Sequence, residues 1–196
     1  MPNYIKDTII PTDGDVSRSY SLNGSTTVYD PEIHHRRSIR MKGFDYSQPG
    51  LYFITICVHN KLCLFGNVID GEMCLNKLGR IVEQEWLNTI NVRKNDVALH
   101  EYVVMPNHFH AVIELTNRMV VNDKGVCDTP LRCSPSKTIG AIVRGFKGAV
   151  SKNIGRSIWQ RNYYEHIIRN AHSYRLIIEY IINNPVRWEK DTFYIV

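Results

Sequence analysis

The sequence predicts an α+β domain of the ferredoxin-like split βαβ class: an antiparallel sheet with two helices on one face, followed by a C-terminal helix. Three observations predict it. Runs at 51–58, 99–105 and 109–115 are rich in β-branched and aromatic residues, as buried strands are. Segments 75–91 and 139–154 carry apolar residues at helical spacing. With a fourth strand inside 157–169, the order becomes β-α-β-β-α-β. In that fold the first and third strands, 51–58 and 109–115, are central.

Each element is set by its residues. Residues 1–42 are polar, without sustained period, and read as an irregular N-terminal extension. The extension ends in a basic cluster with Arg36, Arg37, Arg40 and Lys42, either a solvated arm or a phosphate-contacting one. Residues 43–196 form the folded domain. After the turn chemistry of 43–50 comes LYFITICV, the first strand, and 61–70 reads as a loop or short edge strand. In the first helix Ile81, Val82, Trp86, Leu87 and Ile90 mark the apolar side, and Glu83 and Glu85 the polar side. Pro106-Asn107 separates the next two strands by a tight turn. Residues 117–134 are a polar surface insertion. Ser134-Pro135 suits the start of the second helix, with Ile139, Ile142, Val143, Phe146, Val150 and Ile154 as its stripe. Arg144 and Lys147 add positive charge there. Ser173 is a plausible cap for the last helix, which stops before Pro185.

The 196 residues carry 43% hydrophobic residues, enough for a real core, and a net charge of +5 that permits a polyanionic partner. No apolar run approaches the roughly 18–20 residues needed to span a membrane, and the N-terminus lacks the regions of a signal peptide. The expectation is a cytoplasmic protein without membrane partners. Five cysteines without Cys-x-x-Cys indicate neither a disulfide framework nor a zinc ribbon.

Chemistry concentrates in YVVMPNHFHAVIEL, residues 102–115. Alternate strand residues share a face, so His108 and His110 project together and Phe109 points into a core. The fold would leave both histidines on the open face of the sheet. Taken alone, a His-x-His is better read as two surface histidines. The last helix adds YIINNP, where Tyr180 and Asn184 stand one turn apart. If that face meets the histidines, two imidazoles and an amide oxygen suit Mg²⁺ or Mn²⁺. A nearby cation favours the phenolate of Tyr180 and polarises a phosphoryl oxygen, as phosphotyrosine-forming DNA cleavage requires.

Three segments in this order, YVVMPNHFHAVIEL, IWQRNYYEHIIR and YIINNP, resemble the REP-associated tyrosine transposases, a branch of the single-tyrosine His-hydrophobe-His superfamily. The resemblance runs from about Gly43 to Trp188. It implies a metal-dependent transposase and endonuclease that cleaves and rejoins single-stranded DNA, often a hairpin, through a covalent phosphotyrosine. It also implies His108 and His110 as metal ligands and Tyr180 as nucleophile. Asn184 falls where relatives carry a third, amide ligand, commonly glutamine. Tyr163 and Tyr164 are rival nucleophiles, and Glu165 and His166 are candidates for a supporting shell. Arg144, Lys147 and the arm cations are candidate phosphate contacts. A monomer is favoured over a dimer. Two other readings remain open: a non-catalytic single-strand-binding module on the same sheet, and a zinc hydrolase drawing on Cys127 or Cys133.

Overall fold

The computed structural model describes residues 43–94, 96–116 and 137–194, and its folded unit is Asp45–Val196. The basic arm, the 117–134 insertion, the Ser134-Pro135 helix start, Cys127 and Cys133 lie outside the described residues. Among those described, no helix is long and apolar enough to cross a membrane.

Four strands form one antiparallel sheet: β1 (Gly50–Cys57), β4 (Val97–Val104), β5 (His108–Leu115) and β6 (Tyr164–Ile168), in the order β4-β5-β1-β6. With α1 (Lys77–Arg93) and α2 (Ile139–Ile154), this is the split βαβ arrangement, and β1 and β5 are central as the sequence predicts. The segment expected to be a loop or edge strand instead folds into a separate hairpin, β2 (Gly66–Ile69) and β3 (Glu72–Leu75). Gly79, in the first turn of α1, lets the Phe65 carbonyl approach so closely that a Cβ there would collide with it.

One sheet face carries Ile54, Ile56, Phe109 and Ile113, all fully buried against α1 and α2. Trp86 of α1, Phe109 of β5 and Phe146 of α2 pack with ring centroids 5.0–5.4 Å apart. The α2 stripe Ile139, Ile142, Val143, Phe146 and Val150 is buried as its spacing predicts. On α1 only part of the expected stripe is buried. Val82 and Trp86 face the sheet, but Leu87 and Ile90 are exposed, and Thr89 takes the inward place. Helix starts also differ from expectation. Thr138 caps α2, and Asn170, not Ser173, caps α3 (Ala171–Ile182), its side chain accepting from the Ser173 N–H.

The opposite face was expected to be open, and it is covered. Phe53 and Val112 project from it, and exposed aromatic and aliphatic surface of that size is costly in water. α3 closes over them with Ile177 and Ile181. A 3₁₀ helix, Pro185–Lys190, and the residues after it bring Trp188 and Phe193 onto Met105. His108 and His110 are therefore fully buried between sheet and C-terminal segment.

Candidate functional site

Register sets the site. His110 pairs with Thr55 and His108 with Cys57 across β1 and β5, so both imidazoles rise on the α3 face, with ring centroids 4.5 Å apart. Each ring is held by its Nδ1. The Asn107 side chain donates from Nδ2 to the carbonyls of Phe193 at 2.8 Å and Lys61 at 3.1 Å, which turns its Oδ1 toward His108. Oδ1 then accepts from His108 Nδ1 at 2.8 Å, so the proton of the neutral ring sits on Nδ1 and the Nε2 lone pair is free. Thr55 Oγ1 lies 2.8 Å from His110 Nδ1 and orients that ring. A partner on the far nitrogen that presents the near one is the usual support of a metal-binding histidine.

The near side gathers the remaining groups. Tyr180 sits in α3 with its hydroxyl 3.2 Å from His110 Nε2, and its ring meets Phe53 edge-on. Asn184 comes just after α3, at the start of the 3₁₀ helix, with helical backbone angles, so it keeps the four-residue spacing from Tyr180. Its Nδ2 donates to Asp191 Oδ2 at 3.0 Å. Asp191 is held in turn by the Phe193 N–H on Oδ1, at 2.8 Å. One ligand atom each from His108, His110 and Asp191 lie within 4.8 Å of one another. His108 Nε2 and Asn184 Oδ1 are buried and make no hydrogen bond. Orphaned acceptors on this scale are costly unless something fills the space between them. Two neutral nitrogens, an amide oxygen and a carboxylate could together hold a divalent cation.

Burial sets the protonation states. It pushes His108 down to about 3, with the Asn184 amide opposing and the Lys61 charge assisting. Burial, and then the neighbouring His108, hold His110 well below the ordinary histidine range, while Asp191 opposes. Both rings are therefore neutral near pH 7. Burial, followed by the Asp191 carboxylate, raises the Tyr180 phenol above its usual range. The Cys57 thiol, which packs beside Met105 and Trp188, is pushed up to about 12 by burial and stays protonated.

The other sequence candidates separate. The tyrosine hydroxyl hydrogen-bonded to His110 is that of Tyr180. Tyr163 precedes β6, and Tyr164 stands opposite Thr55 with its ring edge-on to Phe53 at 6.4 Å. His166, opposite Phe53, shares the α3 face. Glu165 pairs with Ile54 and so belongs to the α1/α2 face, which removes it from the supporting shell. Lys147 is also reassigned. Its Nζ donates to the carbonyls of Gln160 at 2.6 Å, Asn162 at 3.1 Å and Arg161 at 3.4 Å, tying α2 to the approach to β6. Burial lowers it to about 8. That ammonium is a clamp, not a free phosphate contact. Arg144 is exposed on α2, across the sheet from the histidines. Asp191, Asn107 and Thr55 are site residues that sequence reasoning missed. Asn107 read as a turn residue, and Asp191 lies in an aperiodic tail.

No family model matches the chain. An uncharacterized protein of Haemophilus influenzae is 47% identical over 183 residues, covering 87% of this chain and 99% of that one. The two chains belong to one family. Among solved structures, a REP-associated tyrosine transposase bound to a REP hairpin matches with a TM-score of 0.54 and 19% identity, over 78% of this chain and 74% of that one. This chain has the fold of a REP-associated tyrosine transposase. The likeness is one of an antiparallel sheet packed with helices. At 19% identity the match speaks to the fold, and the chemistry rests on the side chains.

Proposed function

We propose that the protein is a metal-dependent transposase and endonuclease that cleaves and rejoins single-stranded DNA through a covalent link to Tyr180. The observation that carries this reading is the meeting of the Tyr180 hydroxyl with the His110 Nε2 at 3.2 Å, beside the unbonded His108 Nε2 and Asn184 Oδ1. His108 and His110 would hold Mg²⁺ or Mn²⁺, with Asn184 and Asp191 supplying oxygen. Such a cation, when bound, polarises the scissile phosphate and favours the phenolate.

The chain's own residues do the rest. Asn107 and Thr55 fix the two rings. α3 presents the phenol oxygen at the rim of the ligand cluster. Phe53 and Phe193 exclude water around it, which strengthens every charge interaction inside. In the forward step the Tyr180 oxygen forms a bond to phosphorus while a phosphorus–oxygen ester bond of the DNA breaks. The phenol gives up its proton, and the leaving DNA oxygen takes one up to become the freed hydroxyl. In the return step a DNA hydroxyl attacks the phosphotyrosine and releases Tyr180.

The substrate we propose is single-stranded DNA with a hairpin, bound by a monomer in the cytoplasm. The arm cations and Arg144 would contact phosphates. The test is incubation with hairpin-bearing single-stranded DNA and Mn²⁺, followed by a denaturing gel. A covalent protein–DNA band that disappears with EDTA is the expected result. Binding without any band, across hairpin substrates, would favour a non-catalytic single-strand-binding module.

A further inference from the structure

A second polar cluster lies on the same sheet face, under the N-terminal half of α3. His100 Nδ1 is 2.9 Å from the Tyr174 hydroxyl, and its Nε2 is 3.2 Å from Glu114 Oε2. A carboxylate only accepts, so Nε2 carries a proton. In the neutral ring Nδ1 then accepts from the Tyr174 O–H, and both bonds are satisfied in one tautomer. The His100 and Tyr174 rings also meet edge-on at 5.7 Å.

Alternation along β4 supplies the histidine: Ala98 pairs with Glu114, so His100, two residues on, shares the α3 face, and an irregularity follows it. Leu99 pairs with Ile113 and Tyr102 with Ala111, so His100 and Glu101 together oppose the single residue Val112. Such a bulge re-aims side chains. Here Tyr102 is the residue re-aimed, to α1, where its hydroxyl donates to Glu83, while His100 keeps the α3 face.

The cluster bears on Tyr180 because the two tyrosines share a helix, six residues and about 9 Å apart along its axis. α3 is fastened to the sheet by its buried Ile177 and Ile181, by the Tyr180–His110 bond and by the Tyr174–His100 bond. Whichever partner donates, the Tyr180 bond occupies His110 Nε2. That same nitrogen is what the ring would give to a cation, so the bond cannot survive metal binding. The Tyr174 tie does not compete with it. We propose that Tyr174, His100 and Glu114 are positioning residues that hold α3, and with it the Tyr180 oxygen, in register over the histidines once His110 ligates the cation. This inference rests on the function proposed above.

Tyr174→Phe removes one hydroxyl and keeps the ring. It should lower the single-turnover rate of adduct formation about tenfold or more, as small displacements of a reacting atom do, with hairpin and Mn²⁺ affinities unchanged. Glu114→Gln keeps an acceptor oxygen for Nε2–H and should retain most of the rate. Val150→Ala, which thins the core on the other sheet face, lowers stability and should leave the rate alone. A readout without DNA is amide hydrogen exchange in α3. Mn²⁺ should leave α3 protected in the wild type and speed its exchange in Tyr174→Phe. Metal-dependent exchange in the variant, together with a wild type that forms no adduct, would sink the nuclease reading and keep the tie. A wild-type adduct rate in Tyr174→Phe, or exchange indifferent to Mn²⁺, would overturn the tie. So would an adduct on Tyr174 in Tyr180→Phe, which would make Tyr174 a nucleophile.

Discussion

Replacing Asn107 with alanine removes three hydrogen bonds at one stroke, from a side chain only 1% exposed. Two of the groups left behind, the His108 Nδ1–H and the Phe193 carbonyl, are buried. A buried orphan costs about 1–3 kcal/mol, so the pair gives a loss of about 2–6 kcal/mol. The Lys61 carbonyl is nearer the surface and can turn to water. Against a total stability of about 5–15 kcal/mol for a typical domain, this is a large fraction. The second effect falls on the site. With Oδ1 gone, nothing selects the tautomer that frees Nε2, and losses of about 10–100-fold in metal affinity accompany the removal of such partners. Asn107→Asp separates the two effects. A carboxylate still accepts from His108 Nδ1 but cannot donate to Phe193 or Lys61. It should lose stability while keeping most of the Mn²⁺ affinity. Calorimetric titration with Mn²⁺ and thermal unfolding in EDTA measure the two quantities. Wild-type Mn²⁺ affinity in Asn107→Ala would refute the idea that Asn107 prepares the ligand.

The same geometry sets further outcomes. Tyr180→Phe should bind hairpin DNA and Mn²⁺ and form no adduct, whereas His108→Ala and His110→Ala should lose Mn²⁺ binding as well; adduct formation by Tyr180→Phe but not by Tyr163→Phe would move the nucleophile. Asn184→Ala should weaken Mn²⁺ less than either histidine change, because water can replace one oxygen ligand of a hard cation, as the same titration will measure. The metal-free protein should lose stability as pH falls from about 6.5 toward the His108 value of about 3, since the unfolded chain binds protons there that the folded one refuses. The slope is up to about 1.4 kcal/mol per pH unit for each buried histidine, and urea titrations at several pH values should show it shrink in His110→Ala. Lys147→Met takes the ammonium from three carbonyls, of which only the Gln160 one is half-buried, and should cost about 1–3 kcal/mol in thermal unfolding while leaving the salt dependence of DNA binding unchanged. Neutralising Arg36, Arg37 and Arg40 together should flatten that salt dependence, and an unchanged slope in a filter-binding series would leave the arm a solvated one.

Much of the arrangement is local and therefore legible in the chain. Period two along β5 puts His108 and His110 on one face whatever surrounds them, and period 3.6 along α2 selects Ile139, Ile142, Val143, Phe146 and Val150. The four-residue step from Tyr180 to Asn184 survives the end of α3 because the backbone stays helical there. Alternation alone also separates Glu165 from His166, once the pairing of Glu165 with Ile54 sets the parity of β6. What the tertiary structure decided has no period to reveal it. Asp191 reaches the histidines from an irregular tail, Asn107 acts through carbonyls of Lys61 and Phe193 that are distant in sequence, and Lys147 finds three carbonyls beyond its own helix. Leu87 and Ile90 fit a helical pattern on α1 yet stay exposed, because the fold turns inward the neighbouring stripe of Gly79, Val82, Trp86 and Thr89. The covering of the histidine face has the same origin. Apolar residues on both sides of β1 and β5 require a second layer, but only the folded chain determines that α3, Trp188 and Phe193 supply it.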